Sequence, residues 1–304
     1  MKNMIQISLA VIISSVSFVT FSQSTQVVDE SPVIETEANA IEKTKSILDD
    51  KVKSTKESNI NPFTISQYKR NYILPITYIT NPNPETGDNI EAKYQISIKL
   101  PFYLEQDKSS GLFVGFTTKS YWQLYSSSLS KPFRATDYEP EIFYSWANEL
   151  SILGFKFNGI QLGFNHQSNG QSNEFSRSWN RLFASVLFSD DTSLYYIKAW
   201  YRIPEGEKET TLSVDGDDNP DITDFLGNME LGYGTKWGDF ELVGKLRNNL
   251  KLDDNKGSIE LNISYPITDN YDILLQYFNG YGDSLIDYNR HQSRIGLGMQ
   301  LKFF

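Results

Sequence analysis

The feature of this sequence that most constrains its fold is an alternation of apolar and polar residues, which recurs from about residue 72 to the end of the chain. In the final segment, Ile295 and Leu297 lie on one parity and Arg294 lies on the other. Because successive side chains of a strand point to opposite faces, this pattern predicts strands with one apolar and one polar face. The predicted strands lie near residues 70–80, 91–102, 111–123, 139–149, 156–168, 178–189, 193–203, 223–235, 238–247, 257–266, 270–280 and 292–304.

The connections between these segments alternate in length. Short turns near 189–192 and 268–270 are interspersed with long polar loops near 124–138, 204–222 and 281–291. Short turns at one end, long loops at the other and an even number of strands are typical of bacterial outer-membrane barrels. The polar parity repeatedly carries Lys, Arg, Glu and Gln, which suits a polar lumen better than the dry interior of a sandwich. We therefore predict an all-β fold, a twelve-stranded antiparallel transmembrane β-barrel over residues 69–304.

The composition excludes several classes of protein. The chain has no cysteine, which excludes disulfides, thiol catalysis and Cys-ligated metals. Its two histidines, His166 and His291, argue against a His-rich metal site. A net charge of -10 argues against nucleic acid as a partner, because phosphate binding needs a concentrated positive surface. Only 39% of the residues are hydrophobic, and the chain lacks the repeated apolar runs of about 20 residues that a helical membrane protein needs.

The first residues have the pattern of a secretory signal. Lys2 supplies the positive start, residues 5–19 are mostly apolar, and Thr20 and Ser22 offer a cleavage site. We predict a signal peptide over residues 1–24; an uncleaved membrane anchor is the alternative. Residues 25–68 are polar and nearly free of aromatics, which predicts an N-terminal tail or linker before the barrel.

In one stretch of the predicted barrel, polar residues occupy the alternate positions that are otherwise apolar. Continuing the parity of Leu162 puts His166 and Ser168 on the outer face of their strand, and continuing that of Leu182 puts Asn180 outside on the next strand. A His two residues from a Ser can accept the hydroxyl proton, and an amide oxygen on the adjacent strand can fix the imidazole tautomer. The alternative is that these residues only cap strands at the membrane interface.

These residues belong to two motifs, NHQSNG at 165–170 and SRSWNRL at 176–182. In order and spacing, both motifs resemble the catalytic block of the outer-membrane phospholipase A family. Further segments agree with the family, and together the matches span about residues 61–304. These segments are KSYWQL at 119–124, PFR at 132–134, YEP at 138–140, NPDIT at 219–223, SYPIT at 264–268 and GYGDSLIDYN at 280–289.

The resemblance implies a twelve-stranded barrel that hydrolyses acyl esters of membrane phospholipids, requires calcium and is activated when it forms a homodimer. Carried over by motif, Ser168 is the nucleophile, His166 is the general base and Asn180 orients it. Gly170 donates its backbone N–H to the oxyanion. The family also implies an outer-membrane location, with the active site at the extracellular rim of the barrel.

The calcium ligands implied by the resemblance are the Gln171 carbonyl, Ser176, and Ser130 from the partner chain. One departure concerns this site: family members often carry an aspartate where this sequence has Asn173. The loop therefore offers few anionic ligands, although a hard cation also accepts neutral oxygens.

Two other functions compete with hydrolysis. One is a non-enzymatic porin or solute channel whose polar parity lines a water path, and the other is a purely structural barrel. Large inward side chains disfavour free diffusion through a twelve-stranded lumen. Those predicted to point inward are Arg177, Trp179, Arg181, Lys198, Trp200 and Arg202.

Overall fold

The computed structural model describes residues 65–83, 87–106, 109–127, 130–210, 213 and 215–302. The predicted signal peptide and nearly all of the predicted N-terminal tail lie outside this range. The described residues contain no helix that is both long and apolar enough to cross a membrane.

The described chain is almost entirely antiparallel sheet, with one short helix, α1 (Ile222–Leu226), and a 3₁₀ turn at Asn173–Phe175. The strands in chain order are β1 (Ser66–Gln67), β2 (Asn71–Ile79), β3 (Ile90–Leu104), β4 (Gly111–Trp122), β5 (Phe133–Ile152), β6 (Phe155–Ser168), β7 (Ser178–Ser189), β8 (Ser193–Ile203), β9 (Met229–Trp237), β10 (Phe240–Asn248), β11 (Gly257–Pro266), β12 (Tyr271–Gly280) and β13 (Gln292–Leu301).

Strands β2 to β13 form a closed barrel. Each pairs with its neighbour in sequence, and β13 pairs with β2 to complete the ring. The two-residue strand β1 adds to β3 at Lys99 and Ile98, so pairing with the sheet already begins at Ser66. Closure removes every long unpaired edge, which a sheet surrounded by lipid requires. The predicted twelve-stranded antiparallel barrel is confirmed.

The two ends of the barrel differ as the sequence predicts. Connections of two to six residues join the strands at one end, for example at 153–154 and 238–239. At the other end the loops are longer, up to the 204–228 connection that contains α1; we call this end the long-loop end. Residues 71 and 301 both lie at the short-turn end, because an even number of strands returns the chain to its starting side.

Two strand starts differ from the prediction. β5 begins at Phe133 rather than near 139, and β9 begins at Met229 rather than near 223. The residues before β9 instead form α1, whose Ile222 and Leu226 are buried. Since these two residues are four apart, one turn of helix directs both to the same side.

The barrel is polar inside and apolar outside. On β13, Ile295 and Leu297 are 50% and 57% exposed, while Arg294 is 1% exposed. On β12, Ile273 is exposed and Gln276 is buried. Apolar side chains that face outward around a buried polar interior are expected for a barrel whose wall faces lipid.

The 281–291 loop folds into the lumen and is fixed there by buried ion pairs. Asp283 is 2.9 Å from Lys93 Nζ and 2.6 Å from Arg294 Nε. Arg294 Nη2 also lies 2.7 Å from Glu91, which accepts a 2.9 Å bond from Arg134. Buried charges tolerate removal from water only when they are paired in this way.

An apolar cluster beside this loop occupies part of the lumen. Leu285 and Tyr288 of the loop pack with Ile222 and Leu226 of α1 over inward aromatic side chains of the barrel wall. Those buried side chains are Phe113, Phe143, Trp179, Phe183 and Trp200. Trp179 and Trp200, two of the large residues predicted to point inward, therefore fill part of the lumen.

Candidate active site

The candidate site lies on the outer face of the barrel, where β6 and β7 reach the long-loop end. His166 on β6 is paired in register with Asn180 on β7. Their side chains are hydrogen-bonded, with His166 Nδ1 and Asn180 Oδ1 2.8 Å apart. Because an amide oxygen only accepts, His166 carries its proton on Nδ1 in this pair, which leaves Nε2 as the basic atom.

Ser168 is the last residue of β6 and lies two residues beyond His166 on the same face. It is paired with Ser178 on β7 and with Tyr138 on β5, and it is partly exposed. The hydroxyl and the imidazole thus share a partly open strip of the wall. This arrangement has the parts of a nucleophile, a base and an orienting residue.

Gly170 lies two residues beyond Ser168 in a left-handed backbone conformation, with φ of +64°. A Cβ at this position would lie 3.1 Å from Cε2 of Tyr138. Both the backbone and the neighbouring ring therefore favour glycine here. Gly170 therefore presents bare backbone two residues beyond Ser168.

Asn169 organises the loop that follows β6. This buried side chain accepts from the backbone N–H of Arg177 at 3.0 Å and of Gln171 at 3.2 Å. Its amide nitrogen donates to the Phe175 carbonyl at 2.8 Å. One side chain thus satisfies three backbone groups of the loop and holds residues 169–177 in a compact turn. This role of Asn169 is not predicted from the sequence.

Asp218 joins this loop to the long β8–β9 connection. One of its oxygens accepts from the Ser176 hydroxyl at 2.7 Å and from the Ser178 hydroxyl at 3.1 Å, and the other pairs with Lys208. Burial raises the pKa of Asp218, but hydrogen bonds from Lys208, Ser176 and Ser178 outweigh it and hold the pKa below its usual range. The carboxylate is therefore ionised at neutral pH beside Ser176.

The residues predicted to bind calcium lie in loops at the same end of the barrel. Gln171 and Ser176 belong to the loop after β6, where Gln171 is exposed and Ser176 is partly buried. Ser130 is exposed in the connection between β4 and β5. Within the described part of the chain, no group of three or more His, Cys, Asp or Glu side chains could hold a metal ion.

A second contact of Asn180 was not foreseen from the sequence. Its amide nitrogen donates to Glu205 Oε1 at 2.9 Å. Glu205 follows Ile203, which is paired with Asn180, by two residues. The strand parity could have identified it, because a residue two positions past Ile203 returns to the same face.

A family model for phospholipase A1 matches residues 48–301 of this chain. The phospholipase A1 of Escherichia coli is 37% identical over 251 residues, which cover 79% of this chain and 82% of that protein. The phospholipase A1 of Proteus vulgaris is 36% identical, with the same coverage.

Solved structures give the same result. The outer membrane phospholipase A of Escherichia coli superimposes with a TM-score of 0.72 at 36% identity, covering 80% of this chain and 93% of that one. The outer membrane phospholipase dimer of Salmonella typhi, solved with bound calcium, gives a TM-score of 0.72 at 35% identity, covering 80% and 94%. The chain therefore belongs to the phospholipase A1 family, as an outer-membrane β-barrel enzyme.

Proposed function

We propose that this protein hydrolyses the acyl esters of outer-membrane phospholipids with Ser168 as nucleophile, His166 as general base and Asn180 as orienting residue, and that calcium and dimerisation activate it. The observation that carries the proposal is the 2.8 Å contact between His166 Nδ1 and Asn180 Oδ1, on the face of β6 that also carries Ser168.

The reaction proceeds in two stages. Ser168 Oγ attacks the acyl carbonyl carbon while its proton moves to His166 Nε2. The bond between that carbon and the glycerol oxygen then breaks, and the oxygen takes the proton from Nε2 and leaves as a lysophospholipid. In the second stage, water gives a proton to His166 and attacks the acyl-enzyme, which releases the fatty acid as Ser168 regains its proton.

The oxyanion of both stages needs a hydrogen-bond donor near Ser168. The Gly170 backbone N–H is suitable, since the left-handed glycine brings bare backbone to this position. Asn180 stays neutral throughout. It holds the imidazole in the reactive tautomer, although an amide stabilises the protonated ring less than a carboxylate would.

The donor atoms of the loop suit calcium. The Ser176 hydroxyl and the Gln171 carbonyl are hard oxygen donors, and the ionised Asp218 lies 2.7 Å from the Ser176 hydroxyl. We assign the cation to Gln171, Ser176 and Ser130 of the partner subunit. Bound calcium would supply positive charge that stabilises the oxyanion.

The sparse donor set of one chain supports a cation site shared between two chains. One chain offers mainly neutral oxygens to the cation, so a second chain that adds Ser130 would complete the site. The calcium-bound dimer of the Salmonella typhi relative supports this arrangement. Control by assembly also suits an esterase embedded in its own substrate, because the monomer would be inactive in an intact membrane.

The interior of the barrel argues against the channel alternative. The 281–291 loop and the apolar cluster block part of the lumen. The remaining cavity is lined by charges of both signs, among them Lys69, Lys119, Glu139 and Glu260. A lumen occupied in large part by paired charges and aromatic rings disfavours free diffusion of solutes.

We further propose that the long-loop end, with the candidate site, faces the outside of the cell. Long loops are extracellular and short turns periplasmic in barrels of this kind. An epitope tag inserted next to the exposed Glu207 should be labelled on intact cells. Labelling only after permeabilisation would overturn this orientation.

The experiment that tests the proposed function is a lipid hydrolysis assay on the detergent-solubilised protein, with and without a calcium chelator. We expect fatty acid release that rises with protein concentration and stops when calcium is removed. Ser130→Ala should weaken the response to calcium without unfolding the barrel. Full activity of a monomeric, calcium-free preparation would contradict the calcium and dimer parts of the proposal and leave the Ser168, His166 and Asn180 assignment untouched.

A further inference from the structure

The side chain of Asn180 makes two hydrogen bonds, one with each end of its amide. Its oxygen meets His166 Nδ1 at 2.8 Å, and its nitrogen donates to Glu205 Oε1 at 2.9 Å. Glu205 is partly buried, just after the end of β8. The three side chains form a continuous hydrogen-bonded row on the outer face of the barrel.

The contact with Glu205 decides which end of the amide faces the histidine. The oxygen and nitrogen of an Asn side chain have nearly the same shape, so packing alone does not distinguish them. An ionised carboxylate only accepts hydrogen bonds, so it binds the nitrogen end. Glu205 therefore holds Asn180 with its oxygen towards His166.

The contact also places a negative charge one residue away from the imidazole. Hydrogen bonds in a row polarise one another, so a carboxylate on the amide nitrogen makes the amide oxygen a stronger acceptor. This effect favours the protonated imidazole that forms during the reaction. It offsets part of the weakness of a neutral orienting residue.

Glu205 is held in place by the loop that contains it. Pro204 restricts the backbone immediately before it. Arg202 pairs with Asp217 at 2.5 Å, and the Asp217 N–H donates to the Gly206 carbonyl at 2.7 Å. The loop is therefore fastened to β8 on both sides of Glu205.

Other charged side chains of the neighbouring strands face the lumen instead. Glu139 and Glu141 of β5 are paired with Lys69, and Glu141 also with Lys198 of β8. Arg181 of β7 is bound to Glu139 at 3.2 Å. Among the contacts that the described residues make, Glu205 supplies the carboxylate that reaches the Asn180 and His166 pair.

We propose that Glu205 is a positioning residue of the esterase site, which acts on His166 through Asn180. The proposal rests on the proposed function, since it assigns Glu205 a part in the same reaction. Glu205 touches neither Ser168 nor the reacting ester. Its effect is on the orientation of the amide and the charge felt by the imidazole.

The test compares substitutions at Glu205 with the same substitutions at Glu207, which is exposed on the same loop. Glu205→Ala should lower kcat about tenfold and leave KM within about twofold, because the lost interaction stabilises the protonated imidazole rather than the bound lipid. Glu205→Gln should lose less rate, since it keeps an acceptor for Asn180. Glu207→Ala and Glu207→Gln should match the wild type.

The pH profile separates positioning from a structural role. Removing the carboxylate makes protonated His166 less favourable, so the acidic limb of kcat/KM should move to lower pH in both Glu205 variants. If the substitutions only loosened the loop, they would lower the rate without shifting the acidic limb of kcat/KM. Glu205→Gln retains the size and polarity of the native side chain, so an acidic limb of kcat/KM that does not move in this variant would overturn the proposal.

A double substitution completes the test. If Glu205 acts through Asn180, the variant Asn180→Ala/Glu205→Ala should be no slower than Asn180→Ala alone. Two outcomes would overturn the role of Glu205 only. The first is a double variant whose rate loss is the product of the two single losses. The second is that the Glu205 variants match the Glu207 controls while hydrolysis still depends on Ser168. Hydrolysis that does not depend on Ser168 would instead overturn the proposed function.

Discussion

His166 and Asn180 face each other directly across β6 and β7, with His166 Nδ1 2.8 Å from Asn180 Oδ1. Two neighbouring strands thus hold the proposed base and its proposed orienting residue in register, on rigid elements rather than in loops. A neutral residue in this position fixes the tautomer while adding no charge of its own.

Replacing Asn180 should slow the reaction without stopping it. Asn180→Ala removes the acceptor for His166 Nδ1 but leaves the nucleophile and the base, so we expect a residual rate about tenfold to a hundredfold below wild type. Steady-state hydrolysis of a short-chain phospholipid measures it. Asn158→Ala, which removes an amide bonded to Ser189 at the other end of β6, serves as the control and should retain full activity.

Substituting Gly170 should reduce activity through the backbone. Gly170→Ala forces a non-glycine residue to φ of +64° and brings its Cβ to 3.1 Å from the Tyr138 ring, at a cost of about 1–2 kcal/mol. We expect the N–H to shift and kcat to fall at least about tenfold. Gly154→Ala is the matched control, because Gly154 also has a positive φ, of +84°, but has open space around its Cβ and lies at the short-turn end. Unchanged kcat in Gly170→Ala would contradict the oxyanion role.

Asp218 should make the stability of the protein depend on acid pH. Its pKa is lowered in the folded protein, so its contribution is present above the unfolded value of about 3.9 and is lost as the pH falls through the folded pKa. Asp218→Asn should therefore lower the thermal midpoint at neutral pH, and the difference from wild type should shrink below about pH 4. Thermal unfolding followed by tryptophan fluorescence over this range checks it, with the exposed Asp215→Asn as the control. A difference that is constant with pH would rule out the ionised carboxylate as its cause.

Arg294 should stabilise the fold through its buried partners. Arg294→Met leaves Glu91 and Asp283 short of a cation in the lumen, and breaking such a pair costs about 3–5 kcal/mol. Arg290, on the 281–291 loop just before β13, provides a contrast: its side chain is 32% exposed and 3.9 Å from Asp287, so Arg290→Met should cost no more than about 1 kcal/mol. Urea unfolding in lipid vesicles measures both, and equal losses would contradict the network.

Much of the fold can be predicted from the alternation of apolar and polar residues, because each strand must present an apolar face to lipid. The start of β5 is an exception, since its first residues include Arg134 and Asp137 and neither face of this part of the strand is consistently apolar. The start of β9 is another. Ile222 and Leu226 are four residues apart, a spacing that puts both on one face of a strand as well as of a helix, and their packing with Leu285 distinguishes the two.

In the candidate site, too, some residues can be predicted from the sequence and others cannot. His166, Ser168 and Asn180 are foreseeable because two of them share a strand and the third lies on the next strand, where parity decides the face. Glu205, two residues past Ile203, could be found by the same parity, but Asp218 could not, because its contacts depend on how a long loop folds back over the rim. Ser176 and Asp218 are 42 residues apart in sequence, and no local pattern links them.

The central claim is that Ser168 is the nucleophile, and the rate of fatty acid release by Ser168→Ala in detergent tests it most directly. Ser178→Ala, on the opposing strand and paired in register with Ser168, is the matched control. A folded Ser168→Ala barrel, verified by its resistance to unfolding in detergent, should release no fatty acid above the uncatalysed rate, while Ser178→Ala remains active. A folded Ser168→Ala barrel with wild-type activity would contradict the account.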